Sequence, residues 1–265
     1  MKENNGIRIW LVIVLILTFL MVIIGGITRL TGSGLSIVDW RPIMGIIPPL
    51  SHQDWITVFS KYKQFPEYNI VNINMTLDEF KNIFFWEYLH RFWGRLIGIA
   101  FFFPGVYFSI RKKIPKKFKM KLVMAFILGG LQGLLGWYMV KSGLVNIPEV
   151  SHFRLASHLL LAFLIIGYLL WIILEISKIQ IKNNNNFLST TSKVFLILVI
   201  IQIFFGALTA GLHAGKIYNS FPLMGGSFFP DELLVLNNLF ENFVSNPATV
   251  QFIHRLLGWS ILFLI

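Results

Sequence analysis

Five stretches of the chain are apolar for long enough to cross a lipid bilayer: Trp10–Ile27, Phe84–Ile110, Leu122–Val140, Ser157–Ile176 and Val194–Leu212. Roughly 20 apolar residues of helix span a hydrocarbon core. No water is available there to pair with backbone N–H and C=O groups, so each stretch must satisfy its own groups as a helix. A sixth apolar stretch, Ala248–Ile265, meets the chain end before it is long enough to finish crossing. These lengths leave one fold class, an all-α polytopic membrane protein.

Charge orients the spans. Charged residues make up 13% of the chain, about half the share of a soluble domain. A net charge of +11 could suit nucleic acid, but its distribution argues against that partner. Arg111, Lys112, Lys113, Lys116, Lys117, Lys119 and Lys121 crowd one short connection between two apolar stretches. Such a cluster is the expected cytoplasmic topology signal. The first stretch follows Lys2 and Arg8, is too long for a signal-peptide core and lacks a small-residue cleavage site, so it reads as a retained helix. The connection around Lys178, Lys182 and Lys193 is also basic, and its asparagine run, Asn183–Asn186, reads as a solvated loop. The 28–83 segment is of mixed charge and rich in Gly and Pro, and the 213–247 segment is acidic on balance. The expected topology has the N-terminus in the cytoplasm and both long connections outside. His90, His158 and His254 then share one depth, at the outer ends of the second, fourth and sixth stretches.

The sequence repeats itself. Gly25-Gly26-Ile27-Thr28 followed by Gly34, Pro42, Met44 and Gly45 returns as Gly206-Ala207-Leu208-Thr209 followed by Gly215, Pro222, Met224 and Gly225, with a one-residue gap. His90-Arg91-x-x-Gly94 returns as His254-Arg255-x-x-Gly258. A parallel duplication of a four-helix unit accounts for both. The expectation is a four-helix transmembrane bundle over residues 1–182 and an incomplete second copy over 183–265.

The head of the second stretch carries the chemistry. Glu87 and His90 stand three apart and project from one helical face. Ionisable groups at membrane depth usually mark function. A lone histidine on an apolar helix is more often a hydrogen-bonded structural residue, but two at equal depth within one unit favour a ligand pair. No cysteine is present, which excludes disulfides and thiolate ligands, and the absence of an acidic cluster near His158 favours haem over zinc or di-iron. Gly94, Gly98, Gly129, Gly130, Gly133 and Gly136 would clear room for a porphyrin, or would let helices pack closely. Arg91, Arg95 and Arg154 suit haem propionates; interfacial anchoring is the other reading and is preferred for Arg95. Glu87 reads either as an i,i+4 ion pair with Arg91 or as a proton donor or charge stabiliser near the ring edge. His52 is expected to be solvated, His152 is given no ligand role, and His213 is left unassigned.

Several ordered motifs resemble the haem A synthase family. They are Gly25-Gly26-Ile27-Thr28-Arg29-Leu30-Thr31-Gly32-Ser33-Gly34-Leu35-Ser36, Asp39-Trp40-Arg41-Pro42, Glu87-Tyr88-Leu89-His90-Arg91, Arg154-Leu155-Ala156-Ser157-His158-Leu159 and Asn219-Ser220-Phe221-Pro222-Leu223-Met224. The likeness covers essentially the whole chain and is strongest to the cysteine-free subclass that includes the mitochondrial enzymes. It implies eight transmembrane helices in two halves. It also implies a membrane oxidoreductase of haem biosynthesis that oxidises a methyl group of haem O to the formyl group of haem A for cytochrome oxidase.

By position, His90 and His158 match the N-terminal haem ligands, Glu87 the glutamate needed for activity, and His254 a C-terminal ligand at a haem b site. The implied surroundings are the cell inner (plasma) membrane, with haem O synthase, an electron donor and a second copy of the chain as further expected partners. The family's last histidine lies on an eighth helix, whereas this chain stops eleven residues after His254. The haem b site is therefore expected to be incomplete, in a fragment or in a truncated product. The alternatives to an enzyme are a bis-histidine b-type cytochrome that only carries electrons, and an inactive remnant.

Overall fold

A computed structural model describes residues 5–39, 46–144, 148–179 and 186–264 of the chain. Trp40, Arg41, Pro42, Met44 and Gly45 of the quoted motifs, and Asn183–Asn185 of the asparagine run, lie outside the described residues. The elements are α1 (Asn5–Leu30), α2 (His52–Tyr62), α3 (Leu77–Ile110), α4 (Lys116–Gly143), α5 (His152–Ile176), α6 (Asn186–Gly211), α7 (Leu239–Ser245) and α8 (Pro247–Leu264). Helices α1, α3, α4, α5 and α6 are long and apolar enough to cross a membrane. The protein is all-α and multi-pass. The sixth apolar stretch forms α8, 18 residues long. Asn186, expected in a loop, begins α6.

Packing groups the chain into two compact units: Met1–Glu149 with Ala162–Ile179, and Val150–Leu161 with Gln180–Ile265. The N-terminal part of α5 thus packs with α6–α8, and its remainder with α1–α4.

In the first unit α1 lies along α3. Ile7, Trp10, Leu11 and Val14 are buried, and the Trp10 indole N–H donates to Ala100 O at 2.8 Å. Two turns along, the Trp93 N–H donates to Leu17 O at 2.9 Å. Each indole finds the acceptor that burial of its polar edge requires. At 34 residues, α3 is about 51 Å long, well beyond a hydrocarbon core of about 30 Å. The helix is therefore longer than a single crossing requires. Thr76 opens it with a reciprocal capping box to Glu79.

The 28–83 segment is more than an irregular connection. Ser51 and Asp54 form a second capping box that starts α2, and a π-helical turn follows over Glu67–Val71. Phe59 and Tyr62 of α2 pack on Phe80 and Phe84 of α3, with Trp55 and Tyr68 around them. This aromatic cap covers the N-terminal end of α3. His52 is exposed, as expected.

In the second unit Ala156 of α5 packs with Ala207, Leu208, Val244 and Val250. Asn238 caps α7 through Phe240 N and Glu241 N. Asn246 caps α8, accepting from Ala248 N at 3.0 Å and Thr249 N at 3.3 Å.

Candidate functional site

The site in the first unit begins at the end of α1. Gly32 takes a left-handed φ of 64°. Gly32 N donates to Arg29 O at 3.3 Å and Ser33 N to Thr28 O at 3.0 Å. That pair of bonds is a Schellman stop, which a glycine adopts without a Cβ penalty. The Thr28–Ser36 motif is thus in part a helix terminator. It turns the chain so that Ser36 and Ile37 reach α3.

There they meet Glu87, which is 3% exposed. One carboxylate oxygen accepts from the Ser36 hydroxyl and from Ile37 N, both at 2.7 Å. The other accepts from Arg91 Nη2 at 2.6 Å, and Arg91 also donates to Ile37 O at 2.9 Å. Both oxygens and the charge are answered, as a buried carboxylate requires. The i,i+4 ion pair expected as one reading of Glu87 is present.

One turn inward, His90 faces α1. A Cβ built on Gly25 would stand 3.2 Å from His90 Nε2. Gly25 therefore presents bare backbone to the imidazole, and any larger residue would crowd the ring.

The second unit repeats these contacts. A Cβ on Gly206 of α6 would stand 3.0 Å from His254 Cε1 of α8. Gly94 faces Met21, and its counterpart Gly258 faces Gln202, in each case at 3.5 Å from the built Cβ. Arg91 donates to Ile37 O; Arg255 Nη2 donates to Tyr218 O at 2.8 Å. Gly25, Met21 and Ile37 correspond to Gly206, Gln202 and Tyr218 at one constant sequence offset. The carboxylate is not repeated: Gln251 stands where Glu87 stands, and its amide donates to Tyr218 O at 3.0 Å. The place of Gly32 is taken by His213, whose φ is 52°. His213 thus holds the left-handed position that ends α6.

The remaining residues sort as follows. His158 and Arg154 lie near the N-terminal end of α5, both half-buried, within the stretch that packs with α6–α8. His152 is held against the end of α6, where a Cβ on Gly211 would be 2.7 Å from its Cα. Its Nε2 is 3.5 Å from Ser245 Oγ.

The residues present suit a haem. Each of His90 and His254 faces a glycine across the helix pair, and His254 Nδ1 is buried with no hydrogen-bond partner. Among the described residues no three His, Cys, Asp or Glu side chains converge on a metal ion. A porphyrin supplies its own equatorial ligands, so one or two imidazoles suffice.

One acidic residue escaped the sequence reading. Glu67, in the π-helical turn, is 6% exposed, and its Oε2 is buried with no hydrogen-bond partner. Burial, then the charge of Glu87, push its pKa up to about 8, against a hydrogen bond from Tyr62 that lowers it. The Tyr62 hydroxyl, fully buried, accepts from Asn72 Nδ2 at 2.7 Å. Burial and the neighbouring Glu67 push its own pKa up as well. In sequence Glu67 is one carboxylate in a polar segment, with nothing to announce its burial.

Residues 8–265 match the family profile described as cytochrome oxidase assembly protein. The haem A synthase of Nitrosospira multiformis is 48% identical over 266 residues, which cover 99% of this chain and 75% of that protein. That of Nitrosomonas eutropha is 48% identical over 271 residues, again 99% and 75%. That of Wolbachia pipientis wMel is 46% identical over 267 residues, 99% and 76%. No solved structure matches.

Proposed function

The chain belongs to the cytochrome oxidase assembly protein family, and on that premise we propose that it makes haem A, oxidising a methyl group of haem O to the formyl group. It is an enzyme of haem A biosynthesis in a membrane; its oxidoreductase class is part of the proposal, as are an inner-membrane location and a cytoplasmic N-terminus. The observation that carries the assignment to a particular site is the Glu87–Arg91 pair beside His90, buried and fully hydrogen-bonded.

His90 and His158 are proposed to hold the iron of haem O, with Arg91 and Arg154 toward its propionates. His254 is proposed as a ligand of a haem b in the second copy. Bound haem supplies redox chemistry at its iron. The chain's own residues do the rest. Gly25 leaves the His90 ring unobstructed from α1. Ser36 and the Ile37 N–H hold Glu87 in place, so that its carboxylate is a fixed charge one turn from the histidine and a proton acceptor at a defined position. The Gln251 amide carries no charge and is no comparable proton acceptor, which supports placing the chemistry in the first copy. Haem O synthase, an electron donor and a second copy of the chain are proposed as working partners.

Haem extraction from the purified protein tests the function. Haem O together with an oxidised intermediate or haem A is expected; haem b alone would identify an electron carrier instead. His90→Ala and His158→Ala are each expected to abolish conversion of haem O, and full conversion in either variant would sink the ligand assignment.

A further inference from the structure

We propose that the connection between α3 and α4 is a binding site for anionic phospholipids, holding their phosphate headgroups at the membrane surface.

The helix α3 ends at Ile110 and α4 begins at Lys116, and both are long and apolar enough to cross a membrane. The short connection between them therefore lies where acyl chains give way to headgroups, whichever way the protein is oriented. Its backbone is tied down. Lys112 holds a left-handed φ of 51°. Lys112 N donates to Ser109 O and Lys113 N to Phe108 O, both at 3.0 Å, which closes α3 with a Schellman pair. Ile114 is buried beside that turn, while Arg111, Lys112, Lys113, Lys116 and Lys119 are all exposed.

Their charge is unanswered within the protein. Glu175, near the end of α5, pairs with Lys121 and, at 3.4 Å, with Lys117. The Lys121 ammonium also lies over the Trp171 ring, 4.1 Å from its centroid. None of the five exposed cations is ion-paired among the described residues. At the other end of α3 the balance differs, since Lys61 pairs with Asp39 and Lys81 with Asp78, each at 2.7 Å. Helix stability does not call for the uncompensated cations either. Lys116, Lys117 and Lys119 open α4, where the positive end of the helix dipole disfavours them, and Pro115 gives no side-chain cap.

A phospholipid with a net negative headgroup answers both halves of this surface. Its phosphate meets the exposed cations, as juxtamembrane clusters of Lys and Arg meet anionic lipids. Its acyl chains continue along apolar side chains that flank the cluster, such as Ile110 on α3 and Val123 on α4, both exposed. A soluble anion would answer the charge alone.

Spin-labelled lipids test the site without reference to haem or turnover. With the purified protein reconstituted in phosphatidylcholine, labelled phosphatidylglycerol should show a larger motionally restricted fraction than labelled phosphatidylcholine. The excess should shrink as NaCl rises from about 0.1 to about 1 M, which shortens the screening length from about 10 Å to about 3 Å. Replacing Arg111, Lys112, Lys113, Lys116 and Lys119 together by Gln should remove the excess, and Lys116→Gln with Lys119→Gln should reduce it. Lys61→Gln, Lys63→Gln and Lys81→Gln combined, at the other end of α3, should leave it at the parental value. No excess in the parent, an excess that survives the five-residue change, or an equal loss in the control variant would overturn the site. Inorganic phosphate that abolishes the excess, where chloride at equal ionic strength does not, would identify a free-anion site and overturn the lipid assignment.

Discussion

Moving a carboxylate out of water is unfavourable unless its lone pairs and its charge are both answered, and at Glu87 three donors do so, from Ser36, Ile37 N–H and Arg91. Only Arg91 is a sequence neighbour; Ser36 lies 51 residues away along the chain. The ion pair and the functional reading of Glu87 therefore coexist, since the pair holds the carboxylate where the chemistry would need it. The glycine opposite His90 makes a direct test. In Gly25→Ala the new methyl would press on the imidazole at 3.2 Å, so haem retained per protein after purification should fall severalfold. Gly26→Ala, whose Cβ meets nothing within 4 Å, should retain the parental haem content. Equal retention in both variants would remove the argument for a cradle.

Among the elements, the long apolar helices were legible because each is an uninterrupted run set by bilayer thickness. The N-terminal extension of α3 and the whole of α2 were not. They are short amphipathic turns whose burial depends on the Phe59–Tyr62–Phe80–Phe84 cluster, and that cluster assembles from separate segments. Their only local signals are the Ser51–Asp54 and Thr76–Glu79 capping boxes. The junction of α5 and α6 is equally tertiary. His152, unremarkable in sequence, is packed so closely that Gly211 has no room for a side chain. Gly211→Ala must displace backbone at 2.7 Å, and a loss of about 1–3 kcal/mol is expected. A thermal unfolding scan in detergent that leaves the midpoint unchanged would contradict this packing.

Over the molecule as a whole, charge and repetition argue together. The cysteine-free chain allows the orientation to be mapped with single introduced thiols. A cysteine at Lys113, in the basic connection, should be labelled by an impermeant reagent only from the cytoplasmic side, and one at Ser227 only from the outside. Labelling of both from one side would refute the orientation. The duplication adds a comparison internal to the protein. Both copies keep the glycine, the histidine and the arginine in matching contacts, and only the first keeps a carboxylate. The shared contacts favour one kind of ligand in both copies, and the difference favours reaction in one.

Sequence alone determined the all-α multi-pass class, the five long apolar spans and the repetition of the Gly and His-Arg motifs. Each follows from run length or direct repetition, which are properties of the chain taken in order. Tertiary structure decided what surrounds the charged groups. The Schellman turn at Gly32 carries Ser36 and Ile37 to Glu87, and the aromatic cap buries Glu67 beside Tyr62. Burial and hydrogen-bond partners depend on contacts between segments far apart in the chain, and a linear pattern does not record them.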